Sequence, residues 1–380
     1  MIFEFYKSQQ LLLVYVNNKH TFTGKKIDPP EISAHMSISD LIDFYKSSGF
    51  NARRLAEAAH MFKKMIDSEA TICLTISGAM TPIGLGKSIS TLIENGFIDW
   101  IITTGANAYH DLHFAYDLPV RQGHFDVDDD ILYSKQIVRI YDVYIKELET
   151  LQRQDEIIQT NIKNMIETSN DSVKEISSSD LSYLLGKIAY NKSVYPKKSF
   201  MASAFKNEVP VFIPALTDSS IGMNMVPLLF DSKLPHLNLL LDIAESAAIL
   251  WKSKISAGIE LGGGVPKNFF QQTGPTLYQI LKIKEGGHDY VIQLTDARPD
   301  TGGLSGATIQ EGKSWGKIKT SHSGNVIVYG DSSVYFPILC SYVLSECKPR
   351  KPKRLYDLKD KFVKEMKNTY FKSKKSNKLD

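Results

Sequence analysis

Six short runs, apolar on both faces and rich in β-branched residues, restrict this chain more than any other feature. They are Ala70 to Ser77 (ATICLTIS), Asp99 to Thr104 (DWIITT), Val209 to Pro214 (VPVFIP), Ser256 to Leu261 (SAGIEL), Asp289 to Thr295 (DYVIQLT) and Asn325 to Tyr329 (NVIVY). A strand with no polar face is a strand covered by helices on both sides, as parallel strands are. Longer helical patterns separate the runs, among them one from about Leu85 to Glu94. Tyr141 to Asn170 also reads as helix, with a polar and exposed second half, and Asn170 to Asp180 reads as a polar loop.

Strands alternating with helices predict an α/β fold. The sheet is expected to be open, mostly parallel and Rossmann-like, with helices on both faces. The loop at 170–180 does not split the strand series, so one domain over residues 50–347 is expected. A helical N-terminal arm over 1–49 and a basic C-terminal helix or tail over 348–380 flank it.

Charge narrows the partners. The formal net charge is +3, but residues 348–378 hold 13 Lys or Arg against 3 Asp or Glu, so the body is mildly acidic. Nucleic acid is therefore not expected as a ligand. The tail's interspersed acids favour a solvated helix with a frayed end. The three cysteines point to a reducing compartment and hence to cytoplasmic location, and no C-x-x-C occurs to hold zinc. The stretch from Met1 to Val16 has no basic region followed by an unbroken apolar core, so a signal peptide is not expected. Leu239 to Trp251 is apolar but carries Asp242 and Glu245 and is too short to span a bilayer.

Ligands of open α/β sheets bind beyond the carboxyl ends of the strands. Here those ends read Gly78-Ala79-Met80-Thr81, Gly105-Ala106-Asn107 and Thr217-Asp218-Ser219. The later three read Gly262-Gly263-Gly264, Asp296-Ala297-Arg298 and Gly330-Asp331-Ser332. Small residues let backbone N–H groups approach phosphate, and hydroxyls and carboxylates suit ribose. Six such turns together point to a nucleotide-sized ligand. G-x-G-x-x-G is absent, and the P-loop-like Gly84-Leu85-Gly86-Lys87-Ser88 has Thr81 where that motif requires glycine. His110, Asp111 and His113 cluster after the second strand. Their spacing suits hydrogen-bonding or acid–base work, or a structural role, better than a metal, and no metal site is expected.

Thr301 to Ile318 (TGGLSGATIQEGKSWGKI) is a Gly/Ser-rich segment ending in Trp315-Gly316-Lys317. In an extended segment Trp315 and Lys317 project to one side. An indole face can hold an alkylammonium, and an apolar wall can make the lysine a nucleophile, with Glu311 available to pair with an ammonium. A half-buried tryptophan beside a solvated lysine fits the same spacing.

SWGKI at Ser314 to Ile318, PALTDSSIG at Pro214 to Gly222, ELGGG at Glu260 to Gly264 and TTGAN at Thr103 to Asn107 resemble the deoxyhypusine synthase family, in the family's order, over about Phe50 to Glu346. The resemblance implies an NAD-dependent transferase. In that family NAD oxidises spermidine to an imine, a lysine captures the aminobutyl group, and the NADH reduces the product after transfer to an acceptor amine. It implies that Lys317 is the imine-forming lysine, with Trp315, Glu311, His110, Asp111 and Asn268 around the amine. Gly78, Ala79, Met80, Thr81, Thr103, Thr104, Gly105, Asp218, Gly263, Asp296, Ala297, Asp331 and Ser332 would line NAD. It also implies a homotetramer with shared active sites.

The chain departs from eukaryotic members at four polar positions around the polyamine. Asn268 stands for histidine, Met223 and Leu304 for aspartates, and His110 for glutamate. The lysine chemistry is thus retained while amine recognition is rebuilt. That favours aminobutyl transfer to a small amine, of the homospermidine type. The alternatives are deoxyhypusine synthesis on a translation factor, or a non-catalytic NAD-binding paralogue.

Overall fold

The computed structural model describes residues 26–29, 31–168, 175–231, 236–320 and 324–376. Six strands form the main sheet: β1 (Thr71–Ile76), β2 (Trp100–Thr103), β3 (Val211–Phe212), β4 (Ser256–Leu261), β5 (Tyr290–Thr295) and β6 (Gly324–Tyr329). Every pairing is parallel, in the spatial order β6-β5-β4-β1-β2-β3. That is the doubly wound order of a Rossmann sheet, and the direction of winding reverses between β1 and β4. Each sequence-predicted run supplies one strand, though the third pairs over only two residues.

Alternate residues of each strand enter two cores. Ile72, Leu74, Ile76, Ile292 and Leu294 join one under helices Phe50–Asp67, Gly86–Glu94 and Ser332–Glu346. Cys73, Trp100, Phe212 and Val291 join the other with Phe270, Ile318 and Leu355. Both sheet faces are therefore dry, as the unbroken apolar runs require.

The segment predicted as helix from Tyr141 is different in its first half. Val143–Lys146 is a strand between Val120–Gln122 and Ile137–Ile140 in a small antiparallel sheet, followed by a π-helix at Glu147–Gln152. The helix proper runs from Arg153 to Thr168. Four residues alternating Val-Tyr-Ile-Lys cannot be told from one helical turn, and the left-handed φ of 53° at Tyr141 makes the turn that settles it. The expected loop after 170 partly lies outside the described residues. At its end Glu175–Ile176 pairs with His236–Leu237, and Ser177 caps the next helix in a capping box with Asp180.

The flanking segments are built into the body. Within 1–49, helix Ile38–Lys46 is described; it buries Ile42, and Ser39 donates to Glu346 at 2.7 Å. The basic C-terminal helix, Leu355–Ser376, packs on helix Leu240–Lys252 rather than standing in solvent. Lys359 is buried and ion-pairs with Glu245 at 2.7 Å and Asp180 at 2.9 Å. Ahead of it, Arg350 donates to the Gly96 and Ala70 carbonyls. Part of the tail's positive charge is thus taken up inside the fold. No described helix is long and apolar enough to cross a membrane.

Candidate functional site

Where winding reverses, the carboxyl ends of β1 and β4 leave a crevice in which doubly wound sheets bind dinucleotides. Three segments are laced together there. Ser77 donates through its hydroxyl to the Gly263 carbonyl, and the Gly264 N–H donates to Ser305 Oγ at 3.0 Å. Gln293 on β5 donates to the carbonyls of Gly262 and Ser305, both at 2.9 Å. Gly263 has no room for a side chain, because a Cβ would collide with Ser305.

Asn107 fixes the β1 turn. Its Oδ1 accepts from the N–H groups of Met80 and Thr81, both at 3.1 Å, and its Nδ2 donates to the Gly78 carbonyl at 2.7 Å. The Thr81 hydroxyl donates to the Asn107 carbonyl at 2.8 Å, which turns that side chain inward. Gly78, at φ +73°, stays exposed at the apex.

Helix Gly264–Pro275 starts at this crevice and carries the lysine's surroundings. Lys267 and Gln271, one turn apart, face inward and are buried, whereas Asn268 accepts from Lys317 Nζ at 3.2 Å. Lys267 donates to Gln293 Oε1 at 3.1 Å and to the Ala307 carbonyl, pinning the segment that leads to Lys317. The Lys317 backbone runs beside His288, whose N–H donates to its carbonyl at 3.0 Å. Gly287 permits that approach, since a Cβ there would collide with the Lys317 carbonyl.

Lys317 is half-buried, and its amine is held below a lysine's ordinary value, chiefly by desolvation, with Glu260 and Glu311 pulling the other way. The partner at Nζ is a neutral amide, which does not demand an ammonium as a carboxylate would. The Trp315 ring centre lies 5.8 Å from Nζ, and the indole is 67% exposed, so it forms a rim rather than a wall. A cleft of about 430 Å³ opens beside Asn268 and is lined by Ile243, Val265, Phe269 and Leu304. Leu304, one of the four departures, therefore faces the same cleft as Asn268.

Other expected amine-site residues are placed differently. Glu311 is exposed and closes the capping box of its own helix, accepting from the Thr308 N–H at 3.0 Å. Asp111 is fully buried and accepts from the Ser199 hydroxyl and from the N–H groups of Phe200 and Met201, both at 3.1 Å. It caps a helix and does not face an amine. His110 lies 3.0 Å from His113 through ring nitrogens, and burial lowers them to about 4 and about 3, so both rings are neutral near pH 7.

Among residues expected around NAD, Gly78, Ala79, Met80, Gly263, Asp296 and Ala297 lie on the turns after β1, β4 and β5, and Asp218 lies beyond β3. Asp218 and Asp296 are exposed. Thr103 ends β2 with its buried hydroxyl unpartnered among the described residues. Thr104 caps the helix that starts at Gly105, accepting from the Asn107 N–H at 3.2 Å. Asp331 caps the helix after β6, and the Ser332 hydroxyl donates to the Leu294 carbonyl at 2.9 Å. These last three side chains shape the turns from within.

Sequence reasoning gave no role to Asn107, Lys267, Gln271 or Glu260, although TTGAN and ELGGG contain two of them. A polar residue in a strand otherwise apolar on both faces, as Glu260 is, was the available signal.

The chain resembles known proteins along nearly its whole length. A family model for deoxyhypusine synthase matches residues 40–343. A "Deoxyhypusine synthase-like protein" of Nostoc punctiforme is 39% identical over 361 residues, covering 92% of this chain and 91% of the relative. "Probable deoxyhypusine synthase 1" of Archaeoglobus fulgidus is 34% identical over 324 residues, covering 85% of this chain and 99% of the relative. The crystal structure of an Entamoeba histolytica protein, provisionally assigned as a deoxyhypusine synthase, shares the fold with a TM-score of 0.55 at 17% identity, covering 87% of this chain and 99% of the other. The chain belongs to the deoxyhypusine synthase family, whose enzymes are NAD-dependent aminobutyl transferases.

Proposed function

We propose that this enzyme moves a 4-aminobutyl group from spermidine to a small amine, a homospermidine-type synthesis in which Lys317 carries the group. The observation that carries the reading is Lys317 itself, a desolvated amine held by the neutral Asn268 at the end of a dinucleotide-binding crevice. The reading that NAD occupies the crevice is supported by the exposed Gly78 turn after β1 and by the exposed carboxylates of Asp218 and Asp296, which follow β3 and β5. When bound, NAD would take a hydride from the donor and later return it.

Lys317 acts between those two events. Its neutral amine adds to the carbon of the protonated donor C=N bond. One proton passes from Nζ to the departing nitrogen as that C–N bond breaks, and the leaving amine departs neutral while Nζ keeps its other proton. Lys317 then holds the aminobutyl group as an enzyme imine. An acceptor amine adds to the same carbon, the bond to Nζ breaks, and Lys317 recovers its proton. Asn268 orients Nζ, and Trp315 offers an indole face to an alkylammonium at the rim. Leu304 and Val265 leave little charge in the adjoining cleft, which supports a compact acceptor over a peptide segment carrying many polar contacts. The reading includes a homotetramer, supported by exposed apolar side chains at Met223, Leu229, Phe230 and Leu240.

The test is purified enzyme with NAD and spermidine, with and without putrescine, followed by mass spectrometry of the amines. Homospermidine should form only with putrescine, and Lys317→Ala should lower turnover by at least about 100-fold. Product formed undiminished by Lys317→Ala would overturn the reading. The name of the Archaeoglobus relative favours a second acceptor, a protein lysine. Aminobutyl label appearing on a protein rather than on putrescine would select it.

A further inference from the structure

The face of the sheet beneath Lys317 carries a polar row that the proposed reaction leaves unused. Thr75 on β1, Glu260 on β4 and Gln293 on β5 are paired in register, so their side chains emerge side by side on one face. All three are buried. Gln293 is spent on backbone carbonyls and on Lys267, whereas Glu260 accepts from Gln271 Nε2 at 2.8 Å through one oxygen only. Its other oxygen, Oε2, and the Thr75 hydroxyl have no hydrogen-bond partner among the described residues. An unpartnered buried carboxylate oxygen is costly and calls for a compensating positive charge.

Two lysines supply positive charge. Lys267 is buried and donates to both Gln293 and Ala307, whereas Lys317 is half-buried and donates to Asn268, so Lys317 is the one whose proton can exchange with solvent. Gln271 and Lys317 flank the same glycine: a Cβ at Gly312 would lie 3.6 Å from Lys317 Cβ and 4.0 Å from Gln271 Oε1. Gln271 therefore bridges the space between the carboxylate and the lysine chain.

We propose that Glu260 is a positioning residue that sets the proton affinity of Lys317 from beneath, the amine being released for attack when the carboxylate's charge is neutralised. The inference rests on Lys317 as the working nucleophile. Burial pushes the Glu260 carboxyl up to about 7, with Lys267, Gln271 and Lys317 pulling it down. The same charge opposes the desolvation that lowers Lys317. The other groups facing this cluster are Cys73 on β1, whose thiol is raised chiefly by burial and further by Glu260, Lys267 on the helix above, and Glu311 on the helix before Lys317. Because Glu311 is exposed, its contribution is screened, while that of Glu260 is not.

The test reads Lys317 directly and needs neither donor nor NAD. The lysine is reductively methylated with formaldehyde and cyanoborohydride across a pH series, and its extent is quantified by peptide mass spectrometry, with exposed Lys87 as internal reference. Glu260→Gln removes the charge but keeps the shape and the bond to Gln271. The half-maximal pH for Lys317 should fall by about one unit, with Lys87 unchanged. An unchanged profile, or a shift to higher pH, would overturn the proposal. If Glu260→Gln does not fold, Gln271→Met takes its place. Without the amide donor the carboxyl holds its proton more tightly, so the Lys317 profile should again move to lower pH, by a smaller amount. No shift in that variant would equally overturn the proposal. An enzyme that makes no homospermidine yet shows the shift would overturn only the choice of substrate.

Discussion

Asn107 shows how much one side chain can organise. It contributes both to the helix after β2 and to the turn after β1, joining two strand ends whose N–H groups and carbonyl it satisfies. Asn107→Ala would leave the Met80 and Thr81 N–H groups without that partner in a largely buried setting. A loss of about 2–3 kcal/mol of stability is expected from the lost bonds. NAD affinity should fall as well, because Asn107 holds the exposed Gly78 turn through three backbone groups. Thermal melts with and without NAD check both: a variant destabilised but still shifted normally by NAD would show that the turn does not contact the cofactor. TTGAN was legible as a motif, but the role of its last residue was not. An asparagine after a glycine turn reads equally as a ligand contact or as a brace, and only the three backbone partners decide. Lys317 presents the reverse case: its spacing fitted a solvated lysine and a nucleophile alike, and the structure adds the desolvation and the amide partner.

At the scale of elements, the six main strands were legible because burial on both faces leaves a run that nothing else explains. The small antiparallel sheet was not, since its strands are three or four residues long and half-exposed. The C-terminal helix was legible as a helix but not as a packed one. Its lysines suggested solvent, and the acids that receive Lys359, the buried Glu245 and the half-buried Asp180, lie on helices more than a hundred residues earlier. Lys359 is held above its ordinary value by Glu245 and Asp180 despite burial, and burial in turn pushes Glu245 up. Lys359→Met would leave Glu245 buried without its countercharge, at an expected cost of about 3–5 kcal/mol. Adding Glu245→Leu should recover much of that. Chemical denaturation of the single and double variants decides: additive losses would mean that the two residues act independently.

Across the whole molecule, buried ionisable groups act on stability in opposite directions. His110, His113 and His288 are lowered by burial, to about 4, about 3 and about 4. Unfolded histidines take up protons near pH 6.5, so these three contribute stability above that value and lose it as pH falls toward 4. Asp111, Asp242 and Glu260 are raised by burial to about 7. They bind protons more tightly folded than unfolded, so their contribution is full below about pH 4 and is lost as pH rises through about 7. Over the shared window the two sets cancel, and stability should change little between about pH 5 and 6.5. His288→Gln keeps a hydrogen-bonding side chain while removing one titrating ring. Its thermal melts should decline with rising pH across that window, whereas a profile parallel to the parent's would exclude the ring as a contributor.

The reversal of winding between β1 and β4 has a consequence for how the enzyme comes into being. The two central strands, Thr71–Ile76 and Ser256–Leu261, are neighbours in space but lie at opposite ends of a long stretch of chain. Loop closure of that length is slow relative to local helix formation, so the ordering of the sheet's middle waits for late synthesis. Until then β1 has one bare edge, and the early strands form a half-sheet exposed to pairing with other nascent chains. The crevice exists only once β4 has joined β1, and a dinucleotide that binds there would select chains that have closed the sheet from those that have not.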